Sequence, residues 1–212
     1  MSEHHSAPNG VRSERTENAS RSDARGYWKD WPLGGEYMKD LEWASNIGIK
    51  YLQQILTKVP LDRSAVIFDV DETLIFGDPE ELIGVREMEL GEHKGQSVFI
   101  LPPNAPIVKI CNAAKKMGFK IIILTARPAS SKIATLTNLD MFKIPYDYII
   151  MNNKDSDPQF KITARRQLQE KFNIVLTIGD QPCDVLLCGR SAVLKLPCSD
   201  AKCSYFYPGI LP

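Results

Sequence analysis

Short apolar runs alternate with amphipathic stretches along this chain, and the alternation predicts strand and helix in turn. Runs rich in β-branched residues recur at Ala65–Val70, Lys120–Thr125, Tyr146–Met151, Ile174–Gly179 and Ala192–Leu196. Near-continuous apolarity of that length suits parallel strands buried on both faces. Residues 37–58 instead place Met38, Leu41, Ser45, Gly48, Leu52 and Ile55 on one helical stripe, and Pro60 ends it. Ile107, Ile110, Cys111, Ala114 and Met117 form a second stripe closed by Gly118, a residue suited to a helix C-terminus. Ile133, Leu136 and Leu139 form a third, and Ile162, Leu168 and Phe172 a fourth, less regular one. Such alternation predicts an α/β domain: a three-layer sandwich with a central parallel sheet and right-handed crossovers. In these sheets ligands bind beyond the carboxyl ends of the strands, so each strand end is a place to look for chemistry.

Composition narrows the partners. The chain has 212 residues, with 26 Lys+Arg against 26 Asp+Glu. A balanced charge argues against a general nucleic-acid binder, which carries basic excess. Apolar runs such as Ile121–Leu124 fall far short of the ~18 residues of a membrane span. Residues 1–26 mix charges of both signs with few apolar side chains and contain no apolar core of a signal peptide. They predict a disordered tail ahead of one domain over 27–212, and a cytoplasmic location. His4 and His5 read as a solvated pair within that tail. Cys111, Cys183, Cys188, Cys198 and Cys203 are odd in number, form no C-x-x-C and have no nearby His. Reduced, buried structural thiols are expected rather than a zinc site.

The informative departure from balance is local. The first strand runs directly into Asp69-Val70-Asp71-Glu72-Thr73, and on an extended backbone Asp69 and Asp71 share one side. A calcium loop would need Gly at the sixth position, where Leu74 stands. The fourth strand ends likewise, in Gly179-Asp180-Gln181-Pro182-Cys183-Asp184. If the two strands are neighbours, four carboxylates converge on one edge and cannot all stay ionised without counter-charge. A divalent cation with oxygen ligands (Mg²⁺ suits a wet site that keeps room for phosphate), Lys161 and one proton would balance them. A proton held there is also what a general acid requires. A third strand end, Thr125-Ala126-Arg127-Pro128, offers a hydroxyl that either caps a helix or donates to a phosphate. Arg127 by itself reads as a solvated loop charge.

These residues resemble the motifs of the haloacid dehalogenase (HAD) superfamily of phosphohydrolases. Asp69–Thr73 is similar to the first motif, Thr125–Arg127 to the second, Lys161 to the third and Gly179–Asp184 to the fourth. Phe160–Arg166, Gly179–Gln181, Lys195–Pro197 and Tyr205 are similar to the class B or IIIB acid phosphatase branch, over about Gly34 to Tyr207. The resemblance implies an HAD-like Rossmannoid fold and a Mg²⁺-dependent phosphomonoesterase acting on small molecules. It implies Asp69 as nucleophile and metal ligand, and Asp71 as general acid and base with its carbonyl on the metal. Thr125, Ala126 and Lys161 would hold the phosphoryl group, and Asp180 would complete the metal shell. Asp184, Arg127 and Thr73 would support them, Asp184 by binding metal or orienting Lys161. Pro182, Cys183, Ala126 and Pro128 depart from the usual pattern and bear on substrate choice. Members of the branch are typically exported and acid-adapted; without a signal peptide neither property carries over.

Residues 77–101 insert between the first strand and the next helix as a short, charged lid, with His93 in an exposed loop. Two other readings compete. One is a protein phosphatase acting on phosphoserine segments, which usually carries paired Asp in the fourth motif. The other is a non-catalytic storage or binding protein, whose relatives often lose the nucleophile that Asp69 supplies here.

Overall fold

The structure, a computed structural model, describes residues 35–77, 83–87, 95–153 and 159–198. The tail over 1–26, Trp28, Trp31, His93, Cys203, Tyr205 and much of the acidic insertion lie outside the described residues. The elements are α1 (Glu36–Ile55), β1 (Ser64–Phe68), β2 (Gly84–Glu87), β3 (Ser97–Ile100), α2 (Ala105–Lys116), β4 (Lys120–Pro128), α3 (Lys132–Met141), β5 (Tyr148–Asn152), α4 (Phe160–Lys171), β6 (Asn173–Gly179), α5 (Pro182–Val185) and β7 (Ala192–Lys195). All five expected strands and all four expected helices are present, with ends shifted by at most about three residues.

Five strands form one parallel sheet in the order β5-β4-β1-β6-β7. The side-chain period of two divides each strand between two cores. Val66 and Phe68 of β1 join Ile121 and Ile123 of β4 under α1, α2 and α3. Ala65 and Ile67 join Ile122 and Leu124 against Ala164 and Leu168 of α4. Helices therefore cover both faces, as the continuous apolar runs require. α1 docks through Gly48, where a Cβ would stand 3.1 Å from Ile110 and Leu194, and through Ser45, whose hydroxyl donates to the Pro106 carbonyl at 2.7 Å. Gly118 follows α2 with φ +95°, a left-handed conformation that glycine adopts without steric cost.

From β1 the chain adds β4 and β5 on one side, then crosses to place β6 and β7 on the other. The strand order reverses between β1 and β6, which makes the crevice beyond their carboxyl ends the preferred ligand site. Within the insertion over 77–101, β2 and β3 pair antiparallel as a two-stranded sheet. Val98 and Ile100 turn inward while Val85 and Phe99 face solvent. Asn138 of α3 ties this hairpin down, donating to the Phe99 carbonyl at 2.8 Å and accepting from Leu101 N–H at 2.9 Å.

Candidate active site

Asp69 and Asp180 stand at the carboxyl ends of adjacent strands. The Asp69 N–H donates to the Ile178 carbonyl at 3.1 Å, extending the β1–β6 ladder by one residue. Asp180 follows Gly179, the last residue of β6. Asp184 comes from the single turn of α5 and returns to the strand end, accepting the Gln181 N–H at 3.0 Å. Lys161, in the first turn of α4, enters from the helix that packs beside α5. Its Nζ donates to Asp69 Oδ1 at 2.7 Å and Asp184 Oδ1 at 2.5 Å, and all three side chains are buried. One oxygen from each of Asp69, Asp180 and Asp184 lies within 4.8 Å of the others.

Electrostatics mark this cluster as short of positive charge. Burial first, then the charge of Asp184, pushes the Asp69 carboxyl well above the usual carboxylate range, with Lys161 pulling against them. Burial and Asp184 likewise push Asp180 up to about 6, opposed by hydrogen bonds from Gln181 and Cys198. Burial alone would lower the proton affinity of Lys161, but Asp69 and Asp184 more than reverse it and hold the ammonium charged. Three buried carboxylates face one lysine. The donors are all oxygen and crowded, so the residues fit a hard divalent cation, and the triad could bind a metal.

The Asp71 side chain is not part of this triad. The expectation that Asp69 and Asp71 share a side assumed extended backbone, but β1 ends at Phe68 and the N–H groups of Thr73, Leu74 and Ile75 all turn onto the Val70 carbonyl. Glu72 then takes φ +55°, left-handed for a residue with a side chain. Asp71 lies at the rim, close enough that its charge adds to the Asp69 shift. There it is held by Arg127, whose Nη2 donates to Oδ1 at 2.6 Å. Arg127 is thus an ion-pair partner beside the site and not the solvated charge that its loop position alone suggests.

Thr125 is fully buried at the end of the regular part of β4 and does not cap a helix, because the strand continues irregularly to Pro128 and α3 starts only at Lys132. Its Oγ1 accepts the Arg127 N–H at 3.1 Å, which leaves the hydroxyl proton for another acceptor. Ala126 is exposed on that irregular end. Thr73 is buried behind the first acids.

Two residues at the site, Arg165 and Gln181, were given no role by the sequence. Arg165 is one turn after Lys161 on α4 and fully buried; its guanidinium donates to the carbonyls of Cys183, Asp184 and Leu186 at 2.7, 2.9 and 2.9 Å. The available signal was the i, i+4 spacing, which puts both cations on one helix face. Gln181 Nε2 donates to Asp180 Oδ2 at 2.7 Å and to Cys198 Sγ at 3.2 Å. Cys183 and Cys198 are only half-buried and lie against the acids, whereas Cys111 and Cys188 are the buried thiols expected.

An open parallel sheet with a carboxylate triad, a lysine and a threonine at its switch point defines a Rossmannoid α/β chain with an acidic site. The sequence profile of the HAD superfamily, subfamily IIIB (acid phosphatase), matches residues 13–199, and the chain belongs to this family. The match begins ahead of Gly34, where the motif resemblance starts. Acid phosphatase 1 of Solanum lycopersicum is 26% identical over 171 residues, covering 76% of this chain. The chain spans 66% of the length of that relative. Among solved structures, the class C acid phosphatase from Bacillus anthracis superposes with TM-score 0.60 at 20% identity, over 78% of this chain and 70% of that one. The same enzyme with tungstate bound gives 0.59 at 18% identity, over 78% and 72%. These likenesses agree with the parallel three-layer fold. Among the described residues no helix is long and apolar enough to cross a membrane.

Proposed function

We propose that this chain hydrolyses small-molecule phosphomonoesters in a Mg²⁺-dependent reaction that passes through an aspartyl-phosphate on Asp69. The observation that carries the proposal is the buried Asp69–Asp180–Asp184 cluster, with Lys161 paired to Asp69 and Asp184, an acid site short of positive charge. Asp69, Asp180 and the Asp71 carbonyl would hold the ion, with Asp184 binding it or orienting Lys161. When bound, Mg²⁺ would offset the carboxylate charge and polarise phosphoryl oxygens.

The chain's own groups do the rest. Asp69 attacks phosphorus as the ester P–O bond breaks, a covalent step by a carboxylate. Asp71 gives a proton to the departing ester oxygen, which leaves as the alcohol. Water then attacks the phosphorus of the acyl phosphate and gives its proton to Asp71, restoring Asp69 and releasing inorganic phosphate. Lys161 neutralises charge beside Asp69, and Thr125 donates its unused hydroxyl proton to a phosphoryl oxygen with the Ala126 N–H beside it. Preorganised donors in a buried site stabilise the transition state without reorganising.

Hydrolysis of p-nitrophenyl phosphate and a panel of phosphoesters, with Mg²⁺ or EDTA, tests this in the parent and in Asp69→Asn. Activity in the parent with Mg²⁺ alone, lost in the variant, is expected, together with a beryllofluoride adduct on Asp69. Equal activity in both proteins, or none in the parent across the panel, would sink the proposal.

A further inference from the structure

We propose that Arg127, anchored by Thr135, is the positioning residue of Asp71 and presents one defined oxygen, Oδ2, to the leaving group; this rests on the reading of Asp71 as proton donor. Asp71 is 46% exposed, so nothing in its own packing fixes its carboxylate. Among the described residues Arg127 is the group that hydrogen-bonds it. Oδ1 receives Nη2 at 2.6 Å and Nε at 3.0 Å, whereas Oδ2 receives only the second branch of Nε, also at 3.0 Å. The less engaged oxygen is the one with room for a proton.

The guanidinium is itself fixed. Nη1 donates to Thr135 Oγ1 at 3.2 Å, and that hydroxyl spends its proton on the Ser131 carbonyl at 3.0 Å. Thr135 is fully buried, so the anchor does not move with solvent. At the other end, the Arg127 N–H is held by Thr125 Oγ1. Arg127 is therefore tethered by its backbone, its Nη1 and its carboxylate partner. In the first step the Oδ2–H bond breaks, the proton joins the ester oxygen as that oxygen leaves phosphorus, and the charge left on Asp71 falls against the guanidinium.

A different role, Arg127 gripping the phosphoryl group itself, predicts equal losses on every phosphomonoester. An oriented acid matters only where the leaving oxygen is a poor leaving group. The test compares kcat/KM for glycerol 2-phosphate and 2,4-dinitrophenyl phosphate, with Mg²⁺, in the parent, Arg127→Ala, Arg127→Lys and Thr135→Val. A proton donor supplies ~100-fold or more, so Arg127→Ala should lose about that much on the alkyl ester and under about 5-fold on the dinitrophenyl ester. Arg127→Lys should not restore the ratio, because an ammonium cannot grip both oxygens. Thr135→Val should shift the ratio the same way by a smaller factor, and it keeps the test alive if Arg127→Ala folds badly. In an Asp71→Asn background, Arg127→Ala should leave the ratio unchanged. Equal losses on both esters in Arg127→Ala and Thr135→Val, or no loss, would overturn the assignment. Activity surviving in Asp69→Asn would instead overturn the reading of the reaction on which it rests.

Discussion

A Cβ on Gly179 would stand 2.3 Å from the Cβ of Asp184 and 2.6 Å from its Oδ2. The last residue of β6 is glycine because the acid of α5 folds back over it. The obstructing atoms are the root of Asp184 and not a flexible tip, so Gly179→Ala has to displace the carboxylate from Lys161 and from the Gln181 N–H. Overpacking of this kind costs about 1–3 kcal/mol, a loss most folds survive. Displacing a group that supports a metal site lowers affinity ~10–100-fold. A Mg²⁺ titration of activity, set beside a thermal melt, should therefore show a larger effect on half-saturation than on Tm. A variant with unchanged half-saturation would show that Asp184 has no part in holding the ion.

Among the described residues Lys161 is the one cation hydrogen-bonded to Asp69 and Asp184. Lys161→Met keeps much of the side-chain volume and removes the charge, leaving the two carboxylates buried against each other. Breaking a buried pair from one side costs about 3–5 kcal/mol. A bound cation would take over part of the counter-charge, so the destabilisation should be larger in EDTA than in Mg²⁺. Urea unfolding under both conditions measures it. Equal losses would mean that the lysine stabilises the fold independently of the metal site.

The sheet was readable because each strand is a pattern local to one segment, and the Asp69–Asp180 pairing followed once those strands were neighbours. Unbroken β-branched runs predict buried parallel strands, and strand order then brings their carboxyl ends together. The contact that holds Asp71 was not readable, because β1 stops at Phe68 and a turn rather than an extended strand presents this side chain. Its partner Arg127 lies 56 residues away, a separation at which no periodicity connects two charges. The three carbonyls capped by Arg165 are a property of the α5 turn and leave no mark in side-chain pattern. β2 and β3 escaped notice because four-residue strands with one inward face give too little alternation to stand out from charged neighbours.

Arg165 fixes the turn that carries Asp184. Its guanidinium lies among carbonyls at the end of α5, where a cation meets both the helix dipole and the last unsatisfied acceptors. Arg165→Met should leave three carbonyls without this donor, at about 1–3 kcal/mol for each buried group left unsatisfied. Loss of global stability should come with weakened Mg²⁺ half-saturation, because Asp184 sits within the freed turn. Arg165→Lys should recover only part of both, since one ammonium cannot reach carbonyls spread over residues 183 to 186. Full recovery by lysine would show that charge alone matters there and that the fork geometry does not.

The raised carboxyl of Asp180 fixes the sign of a pH dependence. Burial and the charge of Asp184 carry it from 3.8 to about 6, so the folded, ion-free chain keeps a proton that the unfolded chain has already released. The stability this contributes is complete below the unfolded value and is lost as pH rises through the folded one. At ~1.4 kcal/mol per unit, the shift corresponds to a loss on the order of 2–3 kcal/mol. Asp69 is displaced in the same direction. Asp147, whose burial is outweighed by the Ile121 N–H and Lys115, is held below the ordinary value and acts at more acid pH. Melting in EDTA should therefore give a higher Tm at about pH 5 than at about pH 7. Mg²⁺ binding has to expel the proton, so the ion should raise Tm most at the upper end of that window and flatten or reverse the slope. Asp180→Asn should flatten the EDTA profile as well. A Tm that rises from pH 5 to pH 7 in EDTA would mean that Asp180 is ionised throughout, with its charge already balanced by the protein.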